Sequence, residues 1–132
     1  MALAPRGIRN NNPGNIRHGD NWNGQKSSQT DISFIQFKSP EWGIRAMAKL
    51  LLNYESIYGL NTVAGIIGRW APSSENNTSA YILAVSRKLG VDPNEPFSVR
   101  GKLVQLVKAI IKHENGIQPY ADFQINGGIR LI

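Results

Sequence analysis

The sequence predicts a mainly helical fold, a helical bundle with a small N-terminal β-hairpin layer (an α+β arrangement). Three observations predict it. Apolar residues recur with a helical period through most of the chain after residue 39. Capping residues, glycines and prolines bound each helical stretch. Residues 6–38 are instead rich in Asn, Gly and Ser. Since 132 residues suit one core and no linker interrupts them, we expect a single domain over residues 1–132.

The N-terminal region carries turn and strand signals. Asn10–Asn15 is a turn cluster, because Asn and Gly tolerate a positive φ and proline fixes its own φ. Asn23-Gly24 is a hairpin-type turn signal. Ile32, Phe34 and Phe37 lie in a short stretch with strand character. These signals predict the irregular β-hairpin layer.

Four helices are predicted to follow, each from its start and stop signals. The first runs from Pro40 to Gly59 with Ser39 as its N-cap, and the second from Asn61 to Trp70, before Pro72. The third runs from Thr78 to Leu89, with Asn77 as its N-cap and Gly90 as its stop. The fourth runs from Val99 to about Glu114, with Ser98 as its N-cap and Gly116 as its stop. The tail after Pro119 is predicted to be mixed, with Gly127-Gly128 as a turn.

The net charge of +6 favours polyanionic partners such as nucleic acid, an anionic membrane or an acidic bacterial wall, although solubility alone explains it equally well. The basic residues are scattered and form no run, so we expect no specific nucleic-acid partner. The absence of cysteine excludes disulfides and thiolate metal sites. His18 and His113 have no ligand spacing, so we expect no metal and no cofactor.

One carboxylate continues an apolar helical stripe. Leu103, Val107 and Ile110 share a face of the last predicted helix, and Glu114 is the next position on that face. Partial burial and the negative end of the helix dipole both favour the protonated form of this carboxyl group. A protonated carboxylic acid is the group that glycoside cleavage requires. The alternative is that the helix end frays and leaves Glu114 in water.

Three segments resemble lysozyme-like enzymes. Leu106–Gly116 resembles the catalytic helix of lytic transglycosylases, with Asn115 where Ser is usual. Asn11–Arg17 with Phe34–Ser39 looks like the glucosaminidase segment that carries an Asn-Asn pair and a β-hairpin. Trp70–Val85 is similar to a transglycosylase segment with Glu and Thr before a Tyr-Val pair, although Glu75 lies two residues further upstream than in that pattern. The whole also resembles small lysozyme domains of phage virions and endolysins.

This resemblance implies a lysozyme-like fold and cleavage of the β-1,4 bond of peptidoglycan, as a muramidase or a lytic transglycosylase, with Glu114 as general acid and base. In those families the catalytic Glu precedes the Asn-Asn and β region, whereas Glu114 lies near the C-terminus. The resemblance therefore implies a circular permutation, which neighbouring termini make feasible. The alternative function is a non-catalytic wall-binding or virion structural module.

Further site residues are predicted beside Glu114. Glu75 is the candidate second carboxylate, as a base or an electrostatic stabiliser, or only an acid that favours a helix N-terminus. The candidate sugar contacts, each of which has a core or turn role as its alternative, are Tyr81, Asn11, Asn12, Asn15, Trp70 and Tyr120.

Met1–Pro5 has no charged segment followed by an apolar run, so we expect no signal peptide. No apolar stretch approaches the length of a membrane span, so we expect no membrane insertion. We expect a monomer made in the bacterial cytoplasm and delivered to the periplasm or cell wall, as a phage or secreted lytic protein.

Overall fold

The computed structural model describes residues 3–132. Within them the chain is mainly helical, as predicted. Its helices are α1 (Arg6–Arg9), α2 (Pro40–Tyr58), α3 (Val63–Trp70), α4 (Thr78–Leu89), α5 (Leu103–Asn115) and α6 (Asp122–Arg130). The interpretation of Met1–Pro5 as lacking a signal peptide falls partly on residues 1 and 2, which lie outside the described residues. No helix in residues 3–132 is long and apolar enough to cross a membrane.

The capping signals place most helix ends correctly. Helix α2 begins at Pro40 and ends before Gly59, whose φ of 65° needs the conformational freedom of glycine. The Asn77 side chain accepts a hydrogen bond from the Ala80 amide at the start of α4. Gly90 ends α4 in the same left-handed conformation as Gly59. These bounds are therefore confirmed.

The predicted N-terminal β-hairpin is wrong. Residues 3–38 contain no strand, and their β-type pairing is limited to two isolated antiparallel bridges, Arg17 with Phe34 and Gln25 with Phe37. A short helix, α1, which the sequence analysis did not predict, precedes them. Ile32, one of the residues with strand character, is 92% exposed.

Side chains replace a strand ladder in this region. The amide nitrogen of Gln36 donates to the Gln29 side-chain oxygen over 2.8 Å, and the Gln29 amide group donates back to the Gln36 carbonyl over 2.9 Å. Asp31 Oδ1 accepts from the backbone amides of Ser33 and Phe34. Because these side chains compete with a neighbouring strand for backbone groups, the segment folds as an ordered loop.

Helix α5 begins later than predicted. Regular helix starts at Leu103, whereas Val99 was the predicted first residue. The Ser98 hydroxyl does accept from a backbone amide, but that amide belongs to Gly101 and closes a turn. The Val99 amide donates to the Glu55 side chain of α2 over 3.1 Å. Ser98 therefore caps a turn that leads into the helix.

The C-terminal tail is a helix, and the predicted turn at Gly127-Gly128 is wrong. Both glycines lie inside α6, which packs on α2. A Cβ atom on Gly128 would lie 2.8 Å from the Glu41 carbonyl oxygen and 2.7 Å from Ile44 Cγ2. Glycine is required here because the two helices approach each other closely.

The buried apolar side chains form two clusters. The main core takes side chains from α2 to α6 and the loops between them. A smaller cluster of Ile35, Phe37 and Ala46, flanked by Trp22 and Trp42, attaches the N-terminal loop to α2.

The loop of residues 11–15 lies between α2 and the end of α5. Asn11 and Asn15 have φ values of 53° and 52°, which fold the loop tightly. A Cβ atom on Gly43 of α2 would lie 1.9 Å from the Asn11 carbonyl oxygen, so the loop backbone rests directly on that helix. The Asn115 side chain donates to the Pro13 carbonyl over 2.8 Å and attaches the loop to α5.

Candidate active site

Glu114 lies in the last turn of α5, where the helix meets the N-terminal loop and α4. Its neighbours on the apolar face, Ile110 and Ile111, are fully buried, and Glu114 itself is half-buried. The Asn15 amide group donates to Glu114 Oε1 over 2.8 Å, and the Tyr81 hydroxyl donates to Glu114 Oε2 over 2.9 Å. Each carboxylate oxygen therefore has its own hydrogen-bond partner. Asn15 lies 99 residues from Glu114 along the chain, and Tyr81 lies 33 residues from it.

Tyr81 belongs to the main core. Its side chain is 1% exposed, and its ring stacks on His113 with 3.8 Å between centroids. Burial raises the pKa of the Tyr81 hydroxyl well above its usual value, and the neighbouring Glu114 raises this pKa further. Because the hydroxyl donates to Glu114 and the side chain is almost fully buried, Tyr81 has little surface for the predicted sugar contact.

Asn15 is the loop residue that reaches Glu114. Its side-chain oxygen is buried and has no hydrogen-bond partner within residues 3–132, and the same holds for the side-chain oxygen of Asn115. A Cβ atom on Gly7 would lie 2.8 Å from the Asn15 oxygen and 2.5 Å from the Asn115 oxygen. Glycine at position 7 therefore leaves room for the two amides that hold the loop against α5.

Asn11 and Asn12 are committed to the loop itself. Asn12 has no exposed surface, and its amide group donates to the carbonyls of Ile16 and Ile35. Its side-chain oxygen accepts from the Ile16 amide. The Asn11 side chain donates to the Phe37 carbonyl over 3.1 Å. Asn12 has a structural role that leaves no surface for a sugar, and Asn11 is partly exposed but similarly bound.

Tyr120 lies apart from this site. It is 8% exposed, belongs to the main core and is absent from the lining of the cavity that Glu114 lines. Burial raises the pKa of its hydroxyl to about 12, with a smaller contribution from Glu41. Its position does not match the sugar contact predicted from the sequence.

A groove runs past Glu114. A cavity of about 100 Å³ is lined by Glu114, Phe34, Ala71 and Asn76 together with residues of a larger neighbour. The larger cavity, of about 290 Å³, adds Ile16, Leu50, Tyr54, Arg69 and Pro72. The residues that line both cavities are Gly14, Asn15, Arg17, Trp70 and Glu75. The shared wall makes the two cavities one continuous groove.

Glu75 opens onto the same cavity as Glu114. It lies in the loop between α3 and α4, and its carboxylate is 3.8 Å from the Arg17 guanidinium. Both partners of this ion pair are about half exposed. Two carboxyl groups, one half-buried and one exposed, therefore face one groove.

Trp70 supplies the apolar wall of the groove. It is half-buried at the end of α3 and contacts Tyr54 edge to face with 6.2 Å between centroids. Gly14 lies beneath it, since a Cβ atom there would be 2.9 Å from the Trp70 ring. Trp70 therefore contributes an aromatic side chain to the lining of both cavities.

Three residues of the site were missed in the sequence analysis. Arg17 and Arg69 line the groove, and Asn115 holds the loop of residues 11–15. The sequence does not distinguish these two arginines from arginines elsewhere on the surface. Asn115 gave one signal, because it stands where the resembled pattern has Ser, but its partner Pro13 could not be inferred. Within residues 3–132 no group of three His, Asp or Glu side chains could hold a metal ion.

Comparison with known proteins places the chain in a family. No family model matches it. Over 129 residues it is 41% identical to Protein P5 of Pseudoalteromonas phage PM2, an alignment that covers 95% of this chain and 80% of that protein. The chain belongs to the Protein P5 family. This membership is shown by identity over nearly the whole chain.

The predicted membership in the lysozyme-like glycosidase superfamily is wrong. The extensive similarity is to Protein P5, and no family model of glycosidases matches the chain. The predicted circular permutation is withdrawn with it, because it served only to reconcile the position of Glu114 with that superfamily. The short motifs misled because a Glu after an apolar helix and an Asn-rich turn are common local patterns. The name Protein P5 states no activity, so any function must be argued from the site.

Proposed function

We propose that this member of the P5 family cleaves the β-1,4 bond of bacterial peptidoglycan strands, with Glu114 as its general acid. The observation that carries the proposal is the half-buried Glu114 carboxyl group, which Asn15 and Tyr81 hold at 2.8 and 2.9 Å beside an open groove. Glycoside cleavage needs a positioned carboxyl group of this kind, commonly with a second one. Glu75 is the second one in this groove.

In the proposed reaction, Glu114 gives its proton to the glycosidic oxygen while the bond from that oxygen to the anomeric carbon breaks. Water supplies a hydroxyl group to the anomeric carbon, and the remaining proton of that water passes to a carboxylate. Because a hydroxyl both donates and accepts hydrogen bonds, Tyr81 can hold Glu114 in either protonation state. Asn15 fixes the other oxygen, so the carboxyl group keeps one orientation.

Glu75 favours hydrolysis over internal attack by the muramic 6-hydroxyl. It lines the same cavity as Glu114 and lies beside the cationic Arg17. A carboxylate in that position can accept a proton from an attacking water or stabilise positive charge on the sugar. Without it, an anhydro end from internal attack would be the expected product.

The wall polymer is the substrate that best fits the remaining observations. The relative Protein P5 comes from a bacterial virus, and such a virus must pass the bacterial wall. The net charge of +6 suits an acidic wall. We propose that the protein reaches the wall as part of a phage or as a secreted lytic protein.

One observation favours a second function, a non-catalytic wall-binding or virion structural module. The two hydrogen bonds of Glu114 join α5 to α4 and to the N-terminal loop. A carboxylate that joins three segments contributes to the fold even if no substrate ever meets it.

Replacement Glu114→Gln separates the two functions. Glutamine keeps the shape, can accept from Asn15 and can donate to Tyr81, but it cannot act as an acid. We expect loss of clearing in a gel that contains peptidoglycan, with the thermal unfolding midpoint nearly unchanged. The control is Glu95→Gln, which makes the same chemical change in an exposed loop outside the groove.

The outcomes differ clearly. Clearing retained by Glu114→Gln excludes Glu114 as the acid. A native protein that sediments with sacculi but releases no fragments indicates the non-catalytic module. Mass spectrometry of released fragments from the native protein and from Glu75→Gln tests the second step, since hydrolysis leaves reducing ends and internal attack leaves anhydro ends.

A further inference from the structure

The larger cavity of the groove carries more positive than negative charge. Arg17 and Arg69 line it, and Glu75 is the acidic residue among its lining. Arg17 is already 3.8 Å from Glu75, whereas Arg69 forms no ion pair within residues 3–132. The larger cavity is therefore lined by one arginine that has no carboxylate partner in the described part of the chain.

Aromatic rings support Arg69. Its guanidinium carbon lies 3.9 Å from the centre of the Tyr58 ring and 5.3 Å from the centre of the Tyr54 ring. These cation–π contacts restrict a side chain that would otherwise move freely. Tyr54 is itself packed against Trp70, so the support extends to the wall of the groove. A pre-oriented guanidinium group loses less entropy when it binds a carboxylate.

We infer that Arg69 forms an anion subsite that selects an acidic glycan over a neutral one. This inference rests on the proposed function, because it concerns the substrate of the same groove. In alternating N-acetylglucosamine and N-acetylmuramic acid, every second sugar carries a lactyl carboxylate. In a β-1,4 chain of N-acetylglucosamine, the backbone is the same and the carboxylate is absent. The two polymers therefore isolate the contribution of the charge.

The subsite is tested by binding in a Glu114→Gln background, where no ligand is consumed. The ligands are a tetrasaccharide of alternating N-acetylglucosamine and N-acetylmuramic acid and the neutral tetrasaccharide of N-acetylglucosamine, each titrated by calorimetry. Adding Arg69→Gln should weaken binding of the acidic ligand about tenfold, which corresponds to about 1.4 kcal/mol. This is just below the usual range for a hydrogen bond to a charged group, because Arg69 is exposed to water. Binding of the neutral ligand should stay the same.

Two further variants control the result. Arg69→Lys keeps the charge but loses the planar fork, so it should recover part of the affinity for the acidic ligand. Arg87→Gln removes an exposed arginine of α4 outside the groove and should change neither affinity. Raising the salt concentration should weaken binding of the acidic ligand more than binding of the neutral one.

The failures of the two proposals are distinguishable. Selective binding of the acidic ligand without any cleavage by the native protein would leave the subsite in place and remove the enzymatic function. Equal losses for both ligands in Arg69→Gln would reduce Arg69 to a packing role and overturn the subsite. Equal affinities in the parent protein, or no binding of either ligand, would overturn it as well.

Discussion

Removing the Tyr81 hydroxyl is the most informative test of how Glu114 is held. Replacement Tyr81→Phe keeps the ring that stacks on His113 and deletes the group 2.9 Å from Glu114 Oε2. A hydrogen bond to a charged group contributes about 1.5–3 kcal/mol to stability. Since Glu114 is only half-buried, water can replace part of the lost bond. We therefore expect the free energy of unfolding to fall by about 1–2 kcal/mol.

The same replacement should reduce activity without abolishing it. Glu114 would keep its bond to Asn15 but lose one of its two fixed contacts. A carboxyl group that is free to rotate spends less time in the reactive orientation, so we expect a loss between about tenfold and about a hundredfold in the rate of wall cleavage. The control is Tyr120→Phe, which should leave activity unchanged, because Tyr120 lines neither cavity of the groove and its buried hydroxyl has no hydrogen-bond partner in the described residues.

The dependence of stability on alkaline pH isolates Tyr81 further. Burial raises the pKa of its hydroxyl in the folded protein, whereas an unfolded tyrosine ionises near its usual value. A folded pKa above the unfolded one gives stability that is present below about pH 10 and lost as the pH rises beyond it. Compared with Tyr81→Phe, the native protein should lose about 1.4 kcal/mol more for each further pH unit.

Urea unfolding of both proteins between about pH 9 and pH 11 measures this difference. Other tyrosines and lysines titrate in both proteins, so the subtraction removes them. Identical slopes, together with identical stabilities at neutral pH, would refute the burial and bonding described for Tyr81.

Two further predictions concern the scaffold. Gly128→Ala should destabilise the protein by about 1–3 kcal/mol, because its Cβ atom would lie 2.8 Å from the Glu41 carbonyl oxygen, whereas Gly127→Ala should stabilise it by about 0.5–1 kcal/mol, because its Cβ atom would be in ordinary contact. Urea unfolding measures both, and the same sign for the two would contradict the packing of α6. The Arg6 guanidinium, with Asn10 and backbone amides, holds the pKa of Asp31 well below its usual value, so its stabilisation is full above about pH 4 and is lost as the pH falls. Thermal unfolding of Asp31→Asn should consequently decline less than that of the native protein between about pH 5 and pH 2, and parallel declines would contradict this.

Local sequence signals were sufficient where a local interaction decides the structure. Gly59 and Gly90 adopt the left-handed conformation that ends a helix, and Asn77 caps the next one with its own side chain. The signals failed where a distant contact decides. Gly127 and Gly128 alone suggest a turn. In the structure both lie in a helix, and α2 packs so closely against Gly128 that there is no room for a side chain at that position.

The same distinction applies to the site. The helical period alone put Glu114 on the buried face of α5, where the structure places it. Asn11, Asn12 and Asn15 were indistinguishable in sequence, because each is an amide in a turn-forming segment. Tertiary packing assigns them to the Phe37 carbonyl, the loop interior and Glu114 respectively. No local rule could have chosen among them.

The surroundings of Glu114 depart from two local rules of protein structure. The side-chain oxygens of Asn15 and Asn115 are buried and have no hydrogen-bond partner among the described residues. Gly7 lies in α1 beside these two oxygens, where a side chain would not fit, and glycine has a low helix propensity. Local rules that are broken together around one group tend to mark a functional site. A leucine at position 114 would continue the apolar face of α5, but it would leave the Asn15 amide group and the Tyr81 hydroxyl without the acceptor that Glu114 gives each of them, so the carboxyl group and its two donors form one interdependent arrangement.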